Sequence, residues 1–175
     1  YEEDKDENQA YLALPPGFTS ALDLKNDIFN IEQSHAIAYL KSRGIGKKEI
    51  IKYNIGFTTE GLYKDRIIIP SYDRDNRLNY FIARHIHADS KQKYKNPPVS
   101  KNIIALENQI DWSEPVTLCE GMFDAISIKR NAIPLFGKFV SKKLDVELKN
   151  KVASGELTEI SIALDNDAKT DALKI

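Results

Sequence analysis

The sequence predicts an α/β fold, a parallel sheet with flanking helices preceded by a smaller mixed α+β basic subdomain, and three features carry that expectation. From residue 113 on, short apolar runs alternate with helix-like stretches: VTLC, FDAISIKRN, AIPLF, SKKLDVELKNKV, LTEISIALD. Strands and helices alternating at this spacing make a parallel sheet joined by right-handed crossovers. Upstream, RIIIPSY (66–72) and RLNYFIARHI (77–86) are rich in β-branched and aromatic residues and are separated by DRDN, which marks a β-hairpin. Just beyond it, Arg84, Lys91, Lys93, Lys95 and Lys101 are interrupted by one acid, Asp89, with Tyr94 in their midst.

Composition sets the outer limits. The 175 residues are 42% hydrophobic and 29% charged, enough for one good core or two small ones. A formal net charge of -1 argues against a protein that coats nucleic acid by bulk charge, so such contacts must come from local patches. The single cysteine, Cys119, excludes an internal disulfide framework and a multi-cysteine zinc site within the chain, and it fits a reducing, cytoplasmic compartment. No apolar run approaches the roughly 18 residues of a membrane span, and no signal-like segment follows the start.

In chain order, YEEDKDEN carries five acids against one lysine and reads as a solvated lead-in. The turn-rich LPPGFTSALDL that follows offers no regular element, because Pro15, Pro16 and Gly17 each disfavour one. Ser34 is expected to cap a helix over HAIAYLKSR, with Gly44 ending it, and KKEIIKY to form a second short helix. The pair has a helix-turn-helix shape, read either as a packing hairpin or as a DNA-reading module. The expected division is an acidic extended leader over 1–30, a basic subdomain over 31–112 and the parallel-sheet domain over 113–175. The abrupt start at Tyr1 and the mid-helix character of ALKI at the end lead us to expect a fragment of a longer chain.

In a parallel sheet, residues just after the strands line the crevice where ligands bind. Glu120 follows VTLC, Gly121 is expected to permit a tight turn, and Asp124 falls in the first turn of the next helix. Asp165 and Asp167 end ISIALDND two residues apart and share a face if the strand continues. Carboxylates so crowded would repel one another. Divalent cation binding removes that objection, because Mg2+ takes carboxylate oxygens and leaves positions for substrate phosphates; helix capping and solvation are the alternative uses of the same acids. E-G-x-x-D arises by chance roughly 0.04 times in a chain of this length, D-x-D about once in two such chains. The ordered pair at successive strand ends is therefore the informative signal. The run KQKYKNPP mixes cations with an aromatic, as suits a phosphate backbone with a base stacked nearby; a solvated loop is the alternative. Lys138, after a strand end in FGKFV, is read either as a contact for an incoming triphosphate or as a solvent lysine. His85 and His87 share a strand face, but without an evident third ligand they read as hairpin surface.

EGMFD (120–124) followed about 40 residues later by LDND (164–167) resembles the Toprim signature in its primase form. RIIIPSYDRDNRLNYFIARHI followed by KYKNPP resembles the segment that precedes the Toprim fold in DnaG-type primases. The likeness spans about residues 34–175, and the D-N-D wording is closest in character to phage primases. It implies a template-directed RNA primer synthase, with Glu120, Asp124, Asp165 and Asp167 as catalytic and metal-binding acids. It also implies Mg2+ as cofactor, for which Mn2+ can substitute. Arg84 and Lys93 match family positions that grip template; Lys95 and Lys101 extend that cationic surface, and Arg66 is a candidate nucleotide contact beside Lys138. Implied partners are single-stranded DNA, NTPs and, through regions outside this chain, a replicative helicase, in a bacterial or phage-infected cell; no membrane is involved. Lys169 and Thr170 stand where the family often has alanine and glycine, and neither the zinc-binding domain nor the later acidic motif falls within the sequence. A Toprim metal-dependent nuclease and a non-catalytic nucleic-acid-binding module are the competing readings.

Overall fold

A computed structural model describes residues 12–22, 31–87 and 89–165. Its elements run β1 (Phe18–Ser20), α1 (Ile31–Ser42), α2 (Lys47–Lys52), β2 (Gly56–Thr58), β3 (Arg66–Tyr72), β4 (Leu78–His85), β5 (Val116–Cys119), α3 (Met122–Ile128), β6 (Ala132–Pro134), α4 (Lys142–Ala153) and β7 (Ile160–Ala163). The first four strands form an antiparallel sheet in the order β1-β2-β3-β4, and the last three a parallel sheet in the order β6-β5-β7. The predicted mixed α/β class is thus observed.

The hairpin forms because β3 and β4 alternate across a sheet covered on both faces. Ile67, Ile69, Tyr80 and Ile82 enter one apolar cluster, whereas Ile68, Phe81 and Ala83 enter another on the opposite side. Pro70 is tolerated in β3 because β2 pairs only as far as Ile68, so no neighbour there asks for its missing N–H. The turn closes through Asp73, whose Oδ1 accepts from Asp75 and Arg77 N–H at 2.9 Å each, with Asn76 left-handed at φ 59°.

Two short strands were not foreseen. In the Pro-Gly stretch, β1 pairs with β2, Thr19 opposite Phe57. Gly56 lies so close to Thr19 O and the Phe18 ring that no Cβ fits there. Such strands carry too few residues to show a period, and their pairing comes from the sheet beside them.

Helix α1 begins at Ile31, placing Ser34 inside it instead of at its cap. Glu32 and Gln33 are good helix formers and extend the helix upstream. Its end matches expectation: Gly44, at φ 71°, lets Gly44 N–H reach Lys41 O at 2.9 Å and Ile45 N–H reach Leu40 O at 3.0 Å. Ala36, Leu40, Ile45 and Ile50 are buried in the main cluster, so the pair packs its inner face into the core.

That cluster is also continuous with Cys119, Met122, Phe123 and Ile126, which joins α3 and the end of β5 to the antiparallel sheet. Beneath the parallel sheet α4 packs through Leu144 and Leu148 against Val116, Leu118 and Ile133. Ser141 caps α4, its Oγ accepting from Leu144 N–H at 3.2 Å. β7 lies at the sheet edge with Ile160 and Ile162 39% and 42% exposed.

Candidate active site

The acids gather where the parallel register places them. Cys119 pairs with Pro134 of β6 and Ala163 of β7, so Glu120 and Asp165 leave neighbouring strands at the same C-terminal edge. Glu120 is half-buried, and its Oε2 is buried without a hydrogen-bond partner. Such an oxygen is costly unless a ligand or cation meets it. Asp124 is exposed and caps α3: its Oδ2 accepts from Gly121 N–H at 2.9 Å, leaving the other oxygen for another partner. Gly121 sits at φ -134°, which any residue adopts; its value is room, since a Cβ there would lie 3.1 Å from Asp124 Oδ2. Asp165 is exposed, and Asp167 lies outside the described residues. Among the described residues no three His, Cys, Asp or Glu side chains stand in ligating geometry. The site therefore consists of acids aligned on one sheet edge, and their all-oxygen donor set with an orphaned buried oxygen fits a hard cation such as Mg2+.

Buried Cys119, directly below, is no nucleophile: burial, then the charge of Asp124, pushes its thiol up to about 12. On the β6 side Lys101 Nζ donates to Phe136 O at 3.2 Å, which anchors this predicted cation just past the strand end, in the loop that carries half-buried Lys138.

A bracket of arginines and aromatics stands beside the acids. Arg84 is only 6% exposed; its guanidinium lies 5.6 Å from the Tyr39 ring centroid and 5.0 Å from that of Tyr94, and its Nε donates to Tyr39 Oη at 3.1 Å. Arg43 lies 5.6 Å from the centroids of both Tyr39 and Phe123, the residue before Asp124. Burial raises the Tyr94 phenol above its ordinary value, Arg84 and Arg43 oppose the rise and Asp124 adds to it, so this ring is within electrostatic reach of the acid. Tyr94 remains 45% exposed between exposed Lys93 and half-buried Lys95.

Two expectations change here. Arg84 was expected to grip template backbone, but its side chain is buried between the two tyrosines. Arg66, expected to contact a nucleotide, is 5% exposed, and its guanidinium donates to the carbonyls of Gln92 at 3.1 Å and of Ala83 and Lys93 at 3.4 Å. It holds the basic segment in place: Lys95 N–H bonds to Ala83 O at 3.0 Å and His85 N–H to Lys93 O at 2.9 Å. Burial lowers the Arg66 pKa, with Asp65 opposing, yet at this depth the carbonyls supply the partners that a buried guanidinium requires. Sequence reasoning missed Tyr39 and Arg43, although their spacing of four at the end of α1 places them on one helical face.

No family model matches the chain. A DNA primase of Legionella pneumophila is 23% identical over 138 residues, 24% of that protein. The RNA polymerase domain of Mycobacterium tuberculosis primase DnaG, solved with double-stranded DNA, superposes with a TM-score of 0.70 at 17% identity, covering 89% of this chain and 63% of that one. A DnaG primase catalytic domain bound to single-stranded DNA superposes at 0.65, 17% identical, over 86% and 60%. The chain has the fold of a DnaG primase catalytic core. It spans about a quarter of the Legionella primase and under two thirds of each primase structure. The primase-core fold thus accounts for both the antiparallel sheet that carries the basic segment and the parallel sheet that carries the acids.

Proposed function

We propose that the chain is a DNA primase catalytic core that makes short RNA primers on single-stranded DNA by metal-dependent nucleotidyl transfer, with residues 31–112 as its basic subdomain and 113–175 as a Toprim domain. The observation that carries this reading is the unpartnered buried Oε2 of Glu120 beside Asp165 on one parallel-sheet edge, in a chain with the primase-core fold. Glu120, Asp124, Asp165 and Asp167 would hold Mg2+ or Mn2+, which when bound activates the attacking 3′-hydroxyl and neutralises the triphosphate. Lys93 and Lys95 bind the template backbone, and Tyr94, propped by Arg84, offers its exposed face to a base. Lys101 extends the template surface as expected, and Lys138, in the loop whose Phe136 carbonyl Lys101 grips, meets the incoming triphosphate from the β6 side. Arg66 keeps the basic segment in register with β4. Single-stranded DNA and NTPs are the partners of this site; a replicative helicase would be contacted elsewhere in a longer protein.

The test uses the full-length protein with unprimed single-stranded DNA, labelled NTPs and Mg2+. Glu120→Gln keeps size and removes one charge; primer yield is expected to fall by at least about a hundredfold, as for loss of a positioned acid-base group, with template binding retained. Wild-type primer yield in this variant would sink the reading. Template degradation that Glu120→Gln abolishes would identify a nuclease instead, and no activity in the wild type a binding module.

A further inference from the structure

The turn between β3 and β4 grips a distant part of the chain. Within it Arg74 Nε donates to Glu107 Oε1 at 2.8 Å, and Arg74 Nη2 lies 2.7 Å from the same oxygen. Nη2 also lies 3.4 Å from Glu147 Oε1 on α4. In the same turn Asn76 Oδ1 accepts from Asn108 Nδ2 at 3.0 Å. Behind it Ser71 Oγ accepts from Leu106 N–H at 2.9 Å, and Asn79 Nδ2 donates to Ile104 O at 3.0 Å. The outer end of the hairpin thus holds residues 104–108, which lead into β5, and touches the helix beneath the parallel sheet.

The Glu107 side chain is 2% exposed with its Oε2 buried and unpartnered, whereas that of Arg74 is 60% exposed. Such a pair is a poor source of stability: desolvation offsets the attraction, and apolar residues of similar volume often hold a core as well or better. An apolar cluster already joins the two sheets, running from Ile67 and Tyr80 to Cys119 and Met122. Apolar contact is non-directional, so it holds the sheets together without fixing their angle. The planar donor set of a guanidinium on a carboxylate does fix one.

The hairpin acts as a lever between the two regions. β4 extends about 25 Å from the turn at about 3.3 Å per residue. The basic segment is bonded to its far end, through Arg66 to Gln92 O at 3.1 Å and through Lys95 N–H to Ala83 O at 3.0 Å. A rotation of about 5° at the turn carries that end about 2 Å, and misplacement by about 1 Å can cost a reaction about a hundredfold.

We infer that Arg74 and Glu107 form a registration contact between the two sheets, with Arg74 the positioning residue that sets the angle at which the basic segment faces the acid edge. The contact serves orientation and not stability. Its use rests on the proposed primase reading, but its test reads geometry alone, so the two stand or fall separately.

The experiment places bioorthogonal spin labels at exposed Lys64, ahead of β3, and at exposed Asn150, on α4, in the full-length protein. Double electron–electron resonance then reads the distance between the sheets, and hydrogen exchange of the β3 and β4 amides reads stability. One narrow distance peak is expected in the wild type. Arg74→Met strands Glu107 as an uncompensated buried charge, so protection should fall and the peak broaden or move. Arg74→Met combined with Glu107→Met should restore protection to the wild-type level while the peak stays broad or displaced; this variant carries the test if the single one does not fold. A narrow, unmoved peak in the double variant overturns the inference, because orientation then follows stability, and so does protection that stays lost there, because the pair then serves stability.

Discussion

Arg84→Met separates a template-gripping arginine from a buried prop. The guanidinium is 6% exposed, 5.6 Å from the Tyr39 centroid and 5.0 Å from that of Tyr94, and it bonds Tyr39 Oη at 3.1 Å. A cation–π contact contributes about 0.5–1 kcal/mol where exposed and about 2 kcal/mol where desolvated. The half-exposed Tyr94 contact takes the lower figure and the inner Tyr39 contact the upper. The hydrogen bond adds about 1 kcal/mol, and the apolar methionine restores about 1 kcal/mol of burial. The expected net loss is about 2.5–3 kcal/mol, or about 5–12 °C in Tm at about 2–4 °C per kcal/mol for a chain of this size. Urea unfolding followed by circular dichroism measures the first quantity and a thermal scan the second. Single-stranded DNA binding across a salt series gives the other half of the test. A buried arginine touches no phosphate, so affinity should fall as Tyr94 loses support while the log–log salt slope stays nearly constant. Unchanged stability together with a slope reduced by the roughly 0.7 of one lost phosphate contact would refute the reasoning and return Arg84 to the template track.

Lys93→Ala combined with Lys95→Ala should lower the single-stranded salt slope by about 1.4 with little effect on folding, measured by fluorescence anisotropy across a salt series. Gly56→Ala should cost about 1–3 kcal/mol in urea unfolding, because a Cβ has no room against Thr19 O and the Phe18 ring. Cys119 predicts an alkaline limit. Burial and then Asp124 raise its thiol from 9.0 to about 12, so the folded chain keeps a proton that the unfolded chain releases. Its contribution is fully present below pH 9.0 and is lost as pH rises toward about 12. Cys119→Val should flatten that decline in stability-versus-pH measurements, and in the native wild type iodoacetamide labelling at pH 8 should proceed only through opening, at a rate that follows added urea.

Periodicity and punctuation in the sequence determined the hairpin of β3 and β4, the alternation of β5, α3, β6, α4 and β7, the stop at Gly44 and the placement of Glu120 and Asp165 at strand ends. These are local facts, set by which residues repeat at a strand or helix period and by which cannot continue one. Only the tertiary structure decided what each polar side chain meets. β1 and β2 are too short to carry a period and exist because a neighbouring strand offers its edge. Arg66 and Arg84 look in sequence like any surface cations, yet the sheet buries them and turns them onto carbonyls and tyrosine rings. His35 is silent beside Ser34 until the packing of α1 against the end of β4 brings its ring edge-on to that of His87. The buried oxygen of Glu120 belongs to the same class: one residue after a strand the sequence gives its position, but its desolvation depends on the elements packed around it, because burial is a property of the assembled surface and a stretch of chain taken alone has none.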